Sequence, residues 1–328
     1  MRTRKTSSAP TPGSKEHVAL VLDELYRLIR PHADFPIDNG TRFDEAFPRL
    51  YRELCPGMAG IDAADTAIQY YLSGMWRLTK VVYTADPVFL DALTQSEDTP
   101  LYTQVLQRLP FPTFYVHCPG PDRLGHLIHI ECHPGGDCLL AVCEIGQEQG
   151  EITFLSRPLW FHDGNTIQQA LDALLSHLRA RDEPVVAPPP PPEADLDRAL
   201  AVYRCLLSAA LPFAYYLASQ NADIRPVRSG KGSRCLRKNG TPLRIQAWDV
   251  GFRVGCTVAQ MYQDRPSGDL MEQQSMRRAS GRRPHIRRAH WHHYWTGKGR
   301  SVLVVRWLLP ILIHGDPDKL IPISHHAD

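Results

Sequence analysis

Val18, Val21, Leu22, Leu25, Leu28 and Ile29 recur at three- and four-residue intervals, which predicts an amphipathic helix over 18–29, closed by Pro31. A second helix is predicted from Asp62 to near Tyr83, with Asp65 supporting its N-terminus. Its apolar face would be Ile68, Leu72, Met75, Leu78 and Val82. The pattern then changes. Thr113–Cys118, Leu124–Glu131, Asp137–Ile145 and Ile152–Leu155 are apolar runs bounded by turn-forming residues, and they predict strands. Gly146–Gly150 suits a hairpin connection, and Asn165 is placed to cap a helix to about Arg179.

The run Pro188–Pro192 cannot join a helix or a central strand and favours an extended spacer. Beyond it, Leu196–Leu217 predicts a long apolar helix with a kink at Pro212. Arg225–Arg244 reads as a loop holding seven basic residues and no acid. Leu243–Trp248, Ser301–Leu309 and Ile311–Ile313 are the strand candidates of this half. The fold class is α+β: a helical then β-rich N-terminal half, a Pro-rich linker, and a basic α+β C-terminal half. The expected division is a disordered tail over 1–14, a domain over 15–183, a linker over 184–194 and a second domain over 195–328.

With 43% hydrophobic and 22% charged residues, the composition is that of a folded chain. Basic Met1–Lys15 is followed by no apolar signal core, and the longest apolar run, Val302–Ile313, is interrupted by Arg306 and Pro310. No membrane association is expected. Eight cysteines without a compact framework suit a reducing environment, and a cytoplasmic location is the expectation.

Charge sharpens the picture. From Gln273 to Gly315 there are nine Lys/Arg and no Asp or Glu, whereas the rest of the chain holds 28 basic against 35 acidic residues. Within that segment, Arg282–Gly299 interleaves guanidiniums, imidazoles and indoles. If extended, His285, Arg287, Trp291, His293 and Trp295 share one face, and Ile286, Arg288, His290, His292 and Tyr294 the other. Such a surface can stack bases and hold phosphates, or clamp an acidic or aromatic peptide. The competing expectation is that Trp291 and Trp295 are core and the arginines their rim. A nuclease reading would use His285, His290 and His292, but no carboxylate lies in the segment, and the reading preferred is that the chain is not an enzyme. A second cluster, Cys118, His126, His129, Cys132, His133, Cys138 and Cys143, contains metal-ligand types without a Cys-x-x-Cys pair. Its cysteines fall in predicted strands and read as small buried residues. No metal or cofactor is expected.

The stretch Arg283-Pro284-His285-Ile286-Arg287-Arg288, His290-Trp291-His292, Tyr294-Trp295, Gly297 and Gly299, with Val305-Arg306-Trp307 after it, resembles the C-terminal signature of the second family of type V-A anti-CRISPR proteins. Weaker, collinear matches are Tyr71-Leu72, Gly74 and Trp76-Arg77 with Tyr83, Leu109-Pro110 leading to Tyr115-Val116, and Leu211-Pro212 with Ala222-Asp223-Ile224. The resemblance implies suppression of the type V-A effector nuclease at the stage of its production. The nascent N-terminal peptide of the effector would be recognised during translation and its messenger RNA lost, with ribosome, messenger RNA and a host ribonuclease as further partners. The residues expected to carry partner binding are Arg283, His285, Arg287, Arg288, His290, Trp291, His292, Tyr294, Trp295, Lys298, Arg306 and Trp307. The alternative is an RNA-binding or RNA-cleaving protein acting directly through the same segment.

Overall fold

The computed structural model describes residues 10–58, 60–180, 196–227, 234–236, 241–263 and 285–313. Helix α1 (Lys15–Ile29) opens at Ser14, whose hydroxyl accepts the His17 N–H at 3.2 Å, and it buries Val18, Ala19, Leu22 and Ile29. Of the expected tail, residues 1–9 lie outside the described residues. Helices α2 (Phe43–Leu54) and α3 (Gly60–Thr79) complete a first helical layer.

The α3 helix ends earlier than its periodicity predicts. Lys80 takes a φ of 56°, and Val81–Ala85 becomes strand β1. The side chains of Val81, Val82 and Thr84 branch at Cβ, which favours the extended chain. Val82 therefore belongs to a strand, and Leu78, expected on the buried face, is 43% exposed. The buried face of α3 keeps the expected Ile68, Leu72 and Met75 and adds Ala67, Tyr71 and Trp76.

Helices α4 (Pro87–Thr94) and α5 (Thr103–Leu106) lead to four antiparallel strands: β2 (Thr113–His117), β3 (Arg123–Cys132), β4 (Asp137–Glu148) and β5 (Glu151–His162). β4 and β5 are joined by Gln149 and Gly150, both at positive φ, as a tight two-residue hairpin requires. Asp65 does not serve the N-terminus of α3; its carboxylate accepts from Arg157 of β5 at 3.0 Å. Helix α6 (Ile167–Ala180) starts one residue later than predicted, at Thr166. The Thr166 hydroxyl accepts the Gln169 backbone N–H (3.2 Å) and the Gln169 side-chain Oε1 accepts the Thr166 N–H (2.8 Å), a reciprocal cap.

Helix α7 (Leu196–Leu217) has its predicted bounds and contains Pro212. Its span Leu200–Leu217 is apolar enough to cross a bilayer by composition, yet 61% of it is buried inside the protein. The basic stretch expected as loop contains three short strands, β6 (Ile224–Pro226), β7 (Arg234–Leu236) and β8 (Pro242–Arg244). Then come β9 (Gln246–Val250), α8 (Phe252–Gln263), β10 (His285–Arg287), β11 (His290–Thr296), β12 (Val302–Leu308) and β13 (Ile311–Ile313).

Seven strands form one sheet in the order β5-β4-β3-β2-β1-β9-β6. β1 runs parallel to both neighbours, β2 and β9, and the other pairs are antiparallel. Alternation assigns successive residues to opposite faces. Val82, Tyr115, Leu127 and Leu139 pack against α1–α3, while Val81, Tyr83, Phe114 and Val142 pack with Phe89, Leu206 and Phe213 of the second layer. The proline run lies outside the described residues, but the halves it separates share this sheet and this core. Among the described residues, the 15–183 and 195–328 segments thus share one core, with β9 on the open side of β1 and α7 over its face.

The second layer is closed by a near-contact of α4 and α8. Asp86 caps α4 by accepting the Phe89 N–H at 2.9 Å, and a Cβ on Gly255 would lie 1.9 Å from that same carboxylate oxygen. Replacing Gly255 with alanine is expected to destabilise the fold by about 1–3 kcal/mol. The check is a lower urea midpoint at unchanged slope; an unaltered midpoint would contradict this account.

Candidate partner-binding hairpin

β11 and β12 form a two-stranded antiparallel ribbon in which Trp291 faces Trp307, His292 faces Arg306 and Tyr294 faces Val304. Pleating divides the ribbon into two surfaces. The inner one is core: Trp291 is 9% exposed and Trp307 1%, and Val305 and Leu303 are buried beside them along β12. Trp307 meets Phe89 and Tyr216 edge-on, with centroids 5.6 and 5.8 Å away, and its indole N–H donates to Ser96 Oγ at 2.8 Å. Trp291 meets Tyr215 edge-on at 5.1 Å. His293 lies between Tyr102 and Tyr215 and shares a 2.9 Å hydrogen bond with the Tyr215 hydroxyl. Burial, and then neighbouring His292, hold the His293 imidazole below its ordinary range, so it is neutral at pH 7.

The outer surface carries His290, His292, Tyr294, Val304 and Arg306. The Arg306 guanidinium sits 5.5 Å above the Tyr294 ring, and His292 packs against the same ring with centroids 5.6 Å apart. Gln220, in the loop after α7, holds this arrangement: its side-chain oxygen accepts from both the Tyr294 hydroxyl and Arg306 Nε. Trp295 shares the inner parity but lies past the core's rim, 53% exposed. Arg287, which ends β10, and Arg288 lie exposed just before β11, and Lys298 and Arg300 at the turn beyond it.

The two edges of the ribbon differ. Val305 C=O accepts from Gln220 N at 3.0 Å, and the Asn221 amide bonds both the N–H and the C=O of Trp307. Those groups point away from β11, which makes 305–293 and 307–291 the non-hydrogen-bonded pairs of the ladder. The backbone N–H and C=O groups of Trp291, His293 and Trp295 consequently point off the far edge of β11. No other strand pairs there among the described residues.

The expected contact set therefore divides. Tyr294, Arg306, His290, His292, Trp295, Arg287, Arg288 and Lys298 form an accessible basic and aromatic surface, whereas Trp291 and Trp307 are core residues that position it. Arg283 lies outside the described residues. His285 belongs to a separate ribbon, β10 with β13. Gln220 and Asn221 were missed, since 86 residues separate Asn221 from its partner Trp307 and no local pattern marks either.

The Cys/His cluster is distributed across β2, β3 and β4. His129 bonds Thr113 Oγ1 (2.7 Å) and the Tyr71 hydroxyl (3.2 Å). Glu131 accepts the Phe43 N–H at 3.0 Å and pairs with Arg42 and His133, tying the start of α2 to the sheet. Burial raises the Glu131 carboxyl, but hydrogen bonds from His129 and Phe43 outweigh it and hold the group below the usual carboxylate range. Among the described residues no group of three ligand types converges on a metal-sized site.

Truncating Trp307 to alanine is expected to cost about 3–5 kcal/mol of stability, as large buried aromatics do. Trp295→Ala should stay within about 0.5 kcal/mol of the parent. Denaturant titrations compare the two, and a similar cost for both would refute the division into inner and outer surfaces.

The model of the anti-CRISPR type V subtype A2 family (AcrVA2-like) matches residues 83–315 of this chain. No curated protein matches the sequence. Among solved structures, the crystal structure of AcrVA2 aligns over 92% of this chain and 96% of its own, at 17% identity and a TM-score of 0.47. The family match runs from β1 to just past β13, more than two thirds of the chain, and takes in the whole hairpin. The protein is a member of the anti-CRISPR type V subtype A2 family.

Proposed function

We propose that this anti-CRISPR family member suppresses production of a type V-A effector nuclease by recognising the effector's N-terminal peptide as it is translated, with loss of the corresponding messenger RNA. The observation that carries the reading is the outer face of the β11–β12 hairpin. It presents Tyr294 held under Arg306 by Gln220, an exposed Trp295, and cations at both ends. An extended peptide can pair with the open edge of β11 through its backbone while its side chains meet the aromatic and cationic groups. A newly made segment is unfolded and offers its backbone for such pairing. Recognition of this kind needs no chemistry from the chain itself; degradation would fall to a host ribonuclease.

A second reading is favoured by Arg287, Arg288, Lys298 and Arg300, which would suit phosphates of RNA at either end of the ribbon. The two readings separate in a reporter assay. Effector messenger should fall both for the native gene and for a synonymously recoded gene if peptide is read. Loss confined to the native codons would instead favour RNA recognition, and loss with neither would sink the anti-CRISPR mechanism for this homologue.

Tyr294→Ala and Arg306→Ala are expected to abolish most messenger loss while the protein stays folded, because both side chains lie on the outer face. Each change should weaken partner binding by roughly tenfold or more, the scale of an interface anchor. Pull-down of translating ribosomes with folded variants measures this. Full capture by the Tyr294→Ala, Arg306→Ala double variant would remove the hairpin from the contact.

A further inference from the structure

Cys132 and Cys138 stand opposite each other across β3 and β4, in register, with their sulfurs 2.9 Å apart. One step nearer the turn, His133 N donates to Asp137 O at 2.8 Å. That makes 133–137 the hydrogen-bonded position and 132–138 the adjacent non-hydrogen-bonded pair. In such a pair the Cα atoms are about 4.5 Å apart, within the span a disulfide bridges without backbone movement. The third cysteine of these strands, Cys143, faces the α1–α3 layer, whereas Cys138 faces the other, so Cys143 cannot compete for either sulfur.

We propose that Cys132 and Cys138 are a redox modification site at which a peroxide-class oxidant forms an intramolecular disulfide. The Cys132 thiolate attacks a peroxide oxygen, the O–O bond breaks, and a sulfenic acid and water result. Cys138 sulfur then attacks the Cys132 sulfur; the S–S bond forms, the S–O bond breaks, and a second water leaves with the thiol proton. Two thiols and one hydrogen peroxide thus give one disulfide and two waters.

The environment assigns the order. Cys132 is half-buried and reachable, while Cys138 is fully buried behind it. The Cys138 thiol donates to the Cys132 sulfur, which favours the thiolate at Cys132 and holds its pKa below the ordinary range. The same hydrogen bond pushes Cys138 well above that range, so Cys138 keeps its proton until its neighbour has reacted. Burial and the nearby Glu131 and Asp163 carboxylates oppose ionisation of Cys132, but the hydrogen bond is the larger effect. The cross-link would close the turn that carries His133, whose ring is held by Glu131 and Arg42.

The experiment treats the folded, full-length protein with hydrogen peroxide, blocks remaining thiols with N-ethylmaleimide after unfolding, and reads the tryptic peptide Leu124–Arg179, uncut at Arg157 because Pro158 follows it, by mass spectrometry. The expected result is loss of two hydrogens from that peptide and maleimide on Cys143 alone, reversed by dithiothreitol. In Cys138→Ala, Cys132 should accumulate as a sulfenic acid trapped by dimedone, a product depleted in the parent. Cys143→Ser should leave the disulfide intact. Maleimide on both Cys132 and Cys138 after oxidation would overturn the proposal. So would a dimedone adduct as abundant in the parent as in Cys138→Ala, since that outcome means the second sulfur does not resolve the first.

Discussion

The parallel pairing of β1 on both of its edges constrains the rest of the molecule. A parallel strand cannot be joined to its neighbour by a tight turn, so chain must cross over a sheet face between them, and the strand ends up covered on both sides. Here the chain from β1 to β2 passes through α4 and α5, and the strand on the other side, β9, arrives only after α6, α7 and the proline run. The interior position of five residues, Val81–Ala85, thereby forces distant segments into one core. Tyr83 shows the result: it meets Phe114 of the adjacent strand and Phe213 of α7 in edge-on contacts.

The hairpin bearing the family signature depends on the same layer. Trp307 reaches Phe89 of α4 and Tyr216 of α7, and Asn221 after α7 holds the backbone of β12. Fixing the inner tryptophans determines which side chains face outward, because neighbours in a strand point opposite ways. The signature block thus combines two roles that its composition alone does not separate. Its large apolar rings anchor the ribbon, and the residues between them are left for a partner.

Much of this arrangement was legible in the sequence. The helical repeat of α1, the bounds of α7, the meander from β2 to β5 and the strands β12 and β13 follow from local periodicity and from Gly or Pro punctuation. β1 was not, because Val81-Val82-Tyr83 continues the apolar pattern of α3 and the turn at Lys80 has no distinctive residue. The α2 helix carries Pro48 in its interior, α4 spans about two turns and α5 about one, so none of the three offers a long window of periodicity. In the candidate site, alternation correctly separated the two faces of β11, but which face was buried depended on α4 and α7, far away in sequence. The role of Gln220 was invisible for the same reason: its two partners are brought to it by the fold.

The unequal edges of the hairpin limit how copies of the protein can join. An exposed strand edge ordinarily invites another strand, and two available edges allow growth without end. Here Gln220 and Asn221 occupy the β12 side, leaving β11 as the extendable side. Two molecules meeting β11 to β11 would exhaust that side in both, giving a closed twofold pair instead of a filament. A signature rich in strand-forming aromatics is in this way compatible with a chain that does not polymerise through it.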